Sequence, residues 1–372
     1  MGQHLHPTYA PLARLLTGAA GGVNRADAGF GLLGFAVYHA YRHAALGRAE
    51  DFVLARRYAW RSLEMITGGE RFPTGIELAE ATHFLRHFAT QLDLTEARDE
   101  LFTLLPDLLD RQMRAAFGRN DRDPYTGGFN PAYALLRAGW ATEEHAGFWL
   151  TQLPTFAEMV ARSAGGGYRI ATNVSHGLAF HASFLLAGYD RFGHLAAWRK
   201  RAAETLGAIR RRADDALTRG CCYPRPGQRG AGSLSLTYGD AGVAYAAYRL
   251  AGALQDPDAG YYLKQLEFTA ARRDPGSTQI TDNGLLYGRS GALLFFRRLA
   301  DLTQEPCFFA AARYWNDQAE RHPDALIAPT GKVYDYATMK KVSLFEGPMG
   351  YPLTRFALTT DASFLHELFY LL

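Results

Sequence analysis

Apolar residues alternate between two patterns along this chain. In one the run is nearly unbroken: Gly34 to Leu46, Leu178 to Ala187, Val243 to Leu250 and Ala292 to Phe296. A helix without a wide polar face belongs in a protein interior. In the other the run is amphipathic and charged: Asp51 to Met65, Thr95 to Arg114, His194 to Arg212 and Cys307 to Arg321. That pattern predicts helices that turn one stripe inward and leave the rest in water. Alternating strand-like polarity is scarce, so the chain reads as all-α.

A glycine-centred junction precedes each apolar run and recurs seven times. Its first glycines are Gly31, Gly75, Gly127, Gly177, Gly239, Gly288 and Gly347, spaced 44 to 62 residues apart. Each interval accommodates two helices of roughly 12–18 residues with their connections. A repeat of this length signals stacked supersecondary units. Seven buried helices alternating with seven half-exposed ones predict an α/α toroid, an inner ring wrapped by an outer one. No linker splits the chain, so residues 1–372 are expected to form one domain.

In a toroid of this kind every loop entering an inner helix lies at the same end. Those loops are long (Phe117 to Gly127, Ala164 to Gly177, Arg219 to Gly239, Arg273 to Gly288, Arg321 to Gly347), whereas the opposite connections, such as Gly47 to Glu50, are short. Function concentrates on loops carried by a rigid scaffold, which places the expected site on the long-loop rim. There His176, in Ser175-His176-Gly177, is the leading candidate, because imidazole exchanges protons near neutral pH. Asp123 and Asp240 would serve as an acid/base pair or orient the imidazole, although aspartate at such positions also caps helices. For Glu346, just before Gly347, favourable charge at a helix N-terminus is the better reading.

Three other features invite chemistry and are better read as structure. The pairs His39/His43 and His83/His87 have the spacing of zinc helices but lack the intervening glutamate of a metalloprotease helix and lie beyond the junctions. Cys221-Cys222 has no neighbouring His or Cys to complete a tetrahedral site. The basic cluster Arg199 to Arg201 with Arg210 to Arg212 is a solvated helix face.

Composition narrows the partners. Forty basic against 37 acidic residues give a net charge of +3, too balanced to point to nucleic acid or a membrane surface. No apolar run approaches the ~20 residues of a membrane span, and no secretory signal opens the sequence. Three cysteines suit a reducing compartment, so a cytoplasmic location is expected.

Taken together, the junctions resemble those of the lanthionine synthetase C-like family, in order and spacing over nearly the whole chain. Ser175-His176-Gly177-Leu178-Ala179 resembles the family's Ala-His-Gly-Ile-Ala. Tyr238-Gly239-Asp240-Ala241-Gly242 resembles its Trp-Cys-Tyr-Gly-x-Pro-Gly, and Tyr287-Gly288-Arg289-Ser290-Gly291 its Cys-His-Gly-x-Ala-Gly. Asp123 stands where the family has an active-site aspartate. The resemblance implies an α/α toroid acting on a ribosomally made precursor peptide, in which a cysteine thiol adds to a dehydroamino acid to close a thioether ring. It also implies His176 and Asp123 as the proton-handling pair, with Tyr238, Asp240, Tyr287 and Arg289 toward the substrate.

The family's zinc ion, which binds the thiol through Cys, Cys and His, is another matter. Those positions fall on Thr237, Leu286 and Tyr287, which cannot form a soft tetrahedral site. No metal or other cofactor is therefore expected. The readings that follow are a zinc-independent cyclase-like enzyme, a non-catalytic scaffold that binds peptide or supports a dehydratase partner, and a carbohydrate-active barrel using Asp123 with Asp240.

Overall fold

The computed structural model describes residues 23, 25–68, 72–160, 173–213, 222–223, 233–237, 239–273, 278–280, 282–323 and 343–371. Within them the regular structure is entirely helical. The inner helices are α1 (Leu32–Leu46), α3 (Gly75–Phe88), α5 (Phe129–Arg137), α8 (Leu178–Ala187), α11 (Asp240–Leu254), α13 (Arg289–Thr303) and α15 (Gly350–Thr359). Between them run α2 (Ala49–Thr67), α4 (Thr95–Gly118), α6 (Glu143–Gln152), α10 (Ala196–Arg212), α12 (Ala259–Ala271) and α14 (Pro306–Arg321). Two short turns, α7 (Phe156–Val160) and α9 (Tyr189–Phe192), and a last helix, α16 (Ser363–Leu368), complete the set.

Burial follows the two sequence patterns. Every residue of α8 from Leu178 to Leu185 is buried, as its unbroken apolar run requires. In α2 burial is confined to Asp51, Ala55, Tyr58, Ala59, Ser62, Leu63 and Ile66, the stripe that a 3.6-residue period puts on one face. Outer helices α2, α4, α10, α12 and α14 each pack on an inner neighbour, α6 packs on α10, and α15 packs back on α1 to close the ring. Tyr38 and Phe356 meet edge to face across that closure, with ring centroids 6.3 Å apart. The fold class is the expected α/α toroid.

Two glycines show why the junction motif ends as it does. A Cβ on Gly242 or Gly291 would fall on the carbonyl oxygen of Leu236 or Leu285, far inside van der Waals contact. The loop entering each helix crosses its own first turn there, and only glycine leaves room.

The last helix occupies the middle of the ring. It packs on α3, Tyr41 of α1 reaches the Leu365 backbone, and Glu367 contacts Arg137 of α5. Tyr370, just beyond it, wedges edge-on between Tyr133 of α5 and Phe180 of α8, each at 4.8 Å between centroids. A buried segment reaching four inner helices in succession lies inside them. Tyr370 holds a left-handed φ of 59°, an unfavourable backbone for a bulky residue that this packing maintains.

Glu367 anchors the plug. Its carboxylate meets His83 Nδ1 at 2.6 Å (an ion-pair contact rather than an aligned hydrogen bond), His87 Nε2 at 3.1 Å, and the Arg86 and Arg137 guanidinium groups. Burial alone would raise its pKa, but these partners, His83 foremost, hold it far below the usual carboxylate range. His39 likewise pairs with buried Asp51, Nδ1 to Oδ1 at 2.7 Å. The histidine pairs thus serve packing and charge balance.

Candidate functional site

The loops entering the inner helices are laced edge to edge. Val174 N–H donates to the Thr237 carbonyl at 3.0 Å, Leu234 N–H to Thr278 at 2.9 Å, and Leu285 N–H to Phe345 at 2.9 Å. This lacing gathers side chains from different repeats around one cavity of about 200 Å³. His176, Ser175, Tyr125, Thr126, Thr237, Tyr287 and Glu346 supply polar groups, and Phe30, Val174, Leu286, Phe345, Phe369 and Tyr370 most of the apolar wall.

His176 and Asp123 meet here. His176 Nδ1 lies 2.7 Å from Asp123 Oδ2, and the His176 N–H donates to Asn173 Oδ1 at 2.7 Å. The other aspartate oxygen, Oδ1, accepts from the N–H groups of Tyr125 and Thr126 at 2.9 and 2.7 Å and from the Thr126 hydroxyl at 2.9 Å. Burial would raise the Asp123 pKa, but the bonds from His176 and Thr126 outweigh it and hold the carboxyl below its ordinary value. An ionised carboxylate at Nδ1 puts the proton there and leaves Nε2 as the basic nitrogen. Imidazole and carboxylate side chains remain 31% and 23% exposed, so a substrate can reach them.

Behind this pair sits a second carboxyl. Glu80 of α3 accepts from the Ala28 and Gly29 N–H groups and from the Tyr125 hydroxyl. Burial, with Asp27 nearby, pushes its pKa up to about 8. Its role is to tie the first and third loops to α3.

The remaining sequence candidates divide. Tyr287 lines the cavity. Arg289 begins α13 and donates to Asn283 Oδ1 at 3.1 Å, outside the cavity wall. Asp240 is 1% exposed and also outside it. Its Oδ2 accepts from Cys222 N–H at 2.9 Å and Arg272 at 2.7 Å, and its Oδ1 from Tyr223 N–H at 2.8 Å. Both oxygens are committed to holding a loop, so Asp240 supplies no second carboxylate to pair with Asp123. Tyr238 and Cys221 lie outside the described residues.

A register that sequence reasoning left unused explains the wall. Phe30, Thr126, His176, Tyr287 and Glu346 each immediately precede a junction glycine, and all five line the cavity. Thr74 departs from the rule because its hydroxyl caps α3 in a capping box with Glu77. Glu346 therefore faces the cavity rather than serving only as helix-end charge. Phe369 and Tyr370 carry no such signal, since the chain's end reaches the cavity through tertiary packing.

Thr237, Leu286 and Tyr287 do converge beside His176, with the Thr237 hydroxyl donating to the Leu286 carbonyl at 3.0 Å. A neutral hydroxyl, an isobutyl group and a phenol do not fit zinc. Among the described residues no group of three or more His, Cys, Asp or Glu is placed to hold a metal ion, and no helix is long and apolar enough to cross a membrane.

The profile of the family described as Lanthionine synthetase C-like protein matches residues 170–352. Among solved structures, one named "Nisin cyclase" superposes with a TM-score of 0.72 at 13% identity, over 98% of this chain and 96% of that one. No curated protein sequence matches. The family resemblance read from the junctions is borne out, and the likeness to the solved structure carries the fold.

Proposed function

We propose that this protein, matched to the lanthionine synthetase C-like family by profile and fold, acts on a peptide as a cyclase-like enzyme whose proton chemistry rests on His176 and Asp123. The observation that carries this reading is the 2.7 Å contact between them at the wall of a largely apolar cavity. In the proposed reaction a cysteine thiol gives its proton to His176 Nε2 and the sulfur bonds to the β-carbon of a dehydroamino acid. The π electrons move toward the carbonyl as an enolate, and His176 returns the proton to the α-carbon. Atoms balance without a co-reactant. Asp123 stabilises the imidazolium formed between the two steps.

Thiol activation falls to this proton transfer in the proposal, since Thr237, Leu286 and Tyr287 do not suit a metal. A free thiol has a pKa of about 8.5, so a few per cent is already thiolate near pH 7. The apolar wall would seat the dehydroamino acid and keep water away from the enolate. The precursor peptide that the family resemblance implies, and the likeness to a structure named "Nisin cyclase", support a peptide ligand.

The missing ligand set favours one other reading, a scaffold that binds a peptide or a dehydratase without catalysis. Incubation with a dehydrated, cysteine-containing peptide, followed by alkylation of remaining thiols, separates the two. A cyclase-like enzyme should give time-dependent loss of alkylatable thiol with no other mass change. Thiol persisting at the rate seen without protein supports the scaffold.

A further inference from the structure

At the mouth opposite His176 the inner helices surround a second cavity, of about 700 Å³. Three guanidinium groups from three different inner helices line it: Arg137 of α5, Arg249 of α11 and Arg298 of α13. One carboxylate, the exposed Asp190, stands at its wall, with Tyr189 and Tyr248. Arg249 and Arg298 each sit more than a turn before the end of their helices, so helix-end capping does not account for them.

The charge here is poorly matched. Arg298 forms no ion pair among the described residues, and its Nε is buried without a hydrogen-bond partner. Arg137 Nε is likewise buried and unpartnered, and its Nη2 reaches Glu367 only at 3.5 Å. The Tyr245 hydroxyl accepts one Arg249 bond at 3.0 Å. Near Arg298, His366 has its pKa lowered to about 4, by burial first and by Arg298 second. Three guanidinium groups converging on one partly closed space repel one another, and an anion that brings oxygens to their cavity-facing ends relieves that repulsion.

We propose that this cavity is a binding site for a small, multiply charged oxyanion, a phosphate-bearing or polycarboxylate molecule held by Arg137, Arg249 and Arg298. Planar guanidinium forks suit such oxygens because each can donate two parallel bonds. The two tyrosines flank the ligand, and its size is set by the cavity. This site is separate from the cavity of His176, which shares none of its residues.

Calorimetric titration of the full chain with inorganic pyrophosphate and, in a second arm, with citrate tests the site. Saturable one-to-one binding is expected. It should weaken by roughly tenfold for each charge-assisted pair removed in Arg298→Gln and Arg249→Gln, and remain unchanged in Arg98→Gln on outer helix α4. Arg298→Lys, which keeps the charge but not the fork, should fall between; circular dichroism confirms that each variant is folded. Tighter pyrophosphate marks a phosphate ligand and tighter citrate a carboxylate ligand, both within the proposal. No saturable heat with either probe, or equal affinity in wild type and folded Arg298→Gln, overturns it.

Discussion

Asp123 Oδ2 lies 2.7 Å from His176 Nδ1 although the two residues are 53 positions apart and belong to different repeats. The other oxygen of Asp123 is held by the N–H groups of its own turn, so the carboxylate has anchors besides the histidine. The pair is preorganised by an Asp123 turn closed on its own backbone and a His176 loop tied through Val174 to the Thr237 carbonyl.

Replacing Asp123 by Asn keeps the shape but offers no charge to an imidazolium and can present an N–H to Nδ1. Turnover should drop by roughly 10²–10⁴-fold, the range of a general acid–base contribution. His176→Ala should lose a similar factor, and the double variant little more, because the two act as one unit. Steady-state rates on a dehydrated peptide would measure this.

The plug at the ring's centre should respond to acid. Glu367 has a folded pKa depressed below its ordinary 4.5, so its stabilisation is present above the unfolded value and is lost as pH falls from there toward the folded one. Glu367→Gln removes the carboxylate from the partly exposed Arg86 and Arg137 and from buried His83, and should cost about 1–3 kcal/mol at pH 7. The deficit should shrink below about pH 4.5. Urea unfolding of both proteins at pH 7 and pH 4 tests the trend.

Gly291→Ala puts a methyl onto the Leu285 carbonyl. Relief requires the loop to leave the first turn of α13, and overpacking of this kind costs about 1–3 kcal/mol. A lowered unfolding midpoint is expected, together with impaired activity, because Leu286 and Tyr287 ride on that loop.

Asp240→Ala separates the two roles a junction aspartate can have. It removes acceptors from Cys222, Tyr223 and Arg272 and strands a buried guanidinium, for an expected loss of about 3–5 kcal/mol. Below its lowered melting temperature the variant should retain wild-type KM. A large rise in KM with unchanged stability would assign Asp240 to the substrate instead.

How far each feature can be read from the sequence depends on how it is encoded. Helix α8 and the first parts of α1 and α13 are legible because burial all round leaves an unbroken apolar run, and α2 because one buried face leaves a period. His176 and Asp123 are legible because each sits at a repeated junction. Asp240 sits at one too, yet a residue just after the junction glycine begins the helix and turns into protein, whereas one just before it faces the cavity. That two-residue difference decides between cavity and core, and it also places Glu346. The plug is not legible: α16 is too short for a period, and the partners of Glu367 and Tyr370 lie on α3, α5 and α8, far away in sequence.

Catalysis by His176 without zinc is tested most directly by thiol consumption on a dehydrated, cysteine-containing peptide, with a zinc chelator present throughout, by wild type and His176→Ala. Wild type should consume thiol at a rate the chelator does not change, and His176→Ala should fall roughly 10²-fold or more toward the uncatalysed rate. Equal rates in the two proteins, or wild-type activity that appears only on adding zinc, would contradict it.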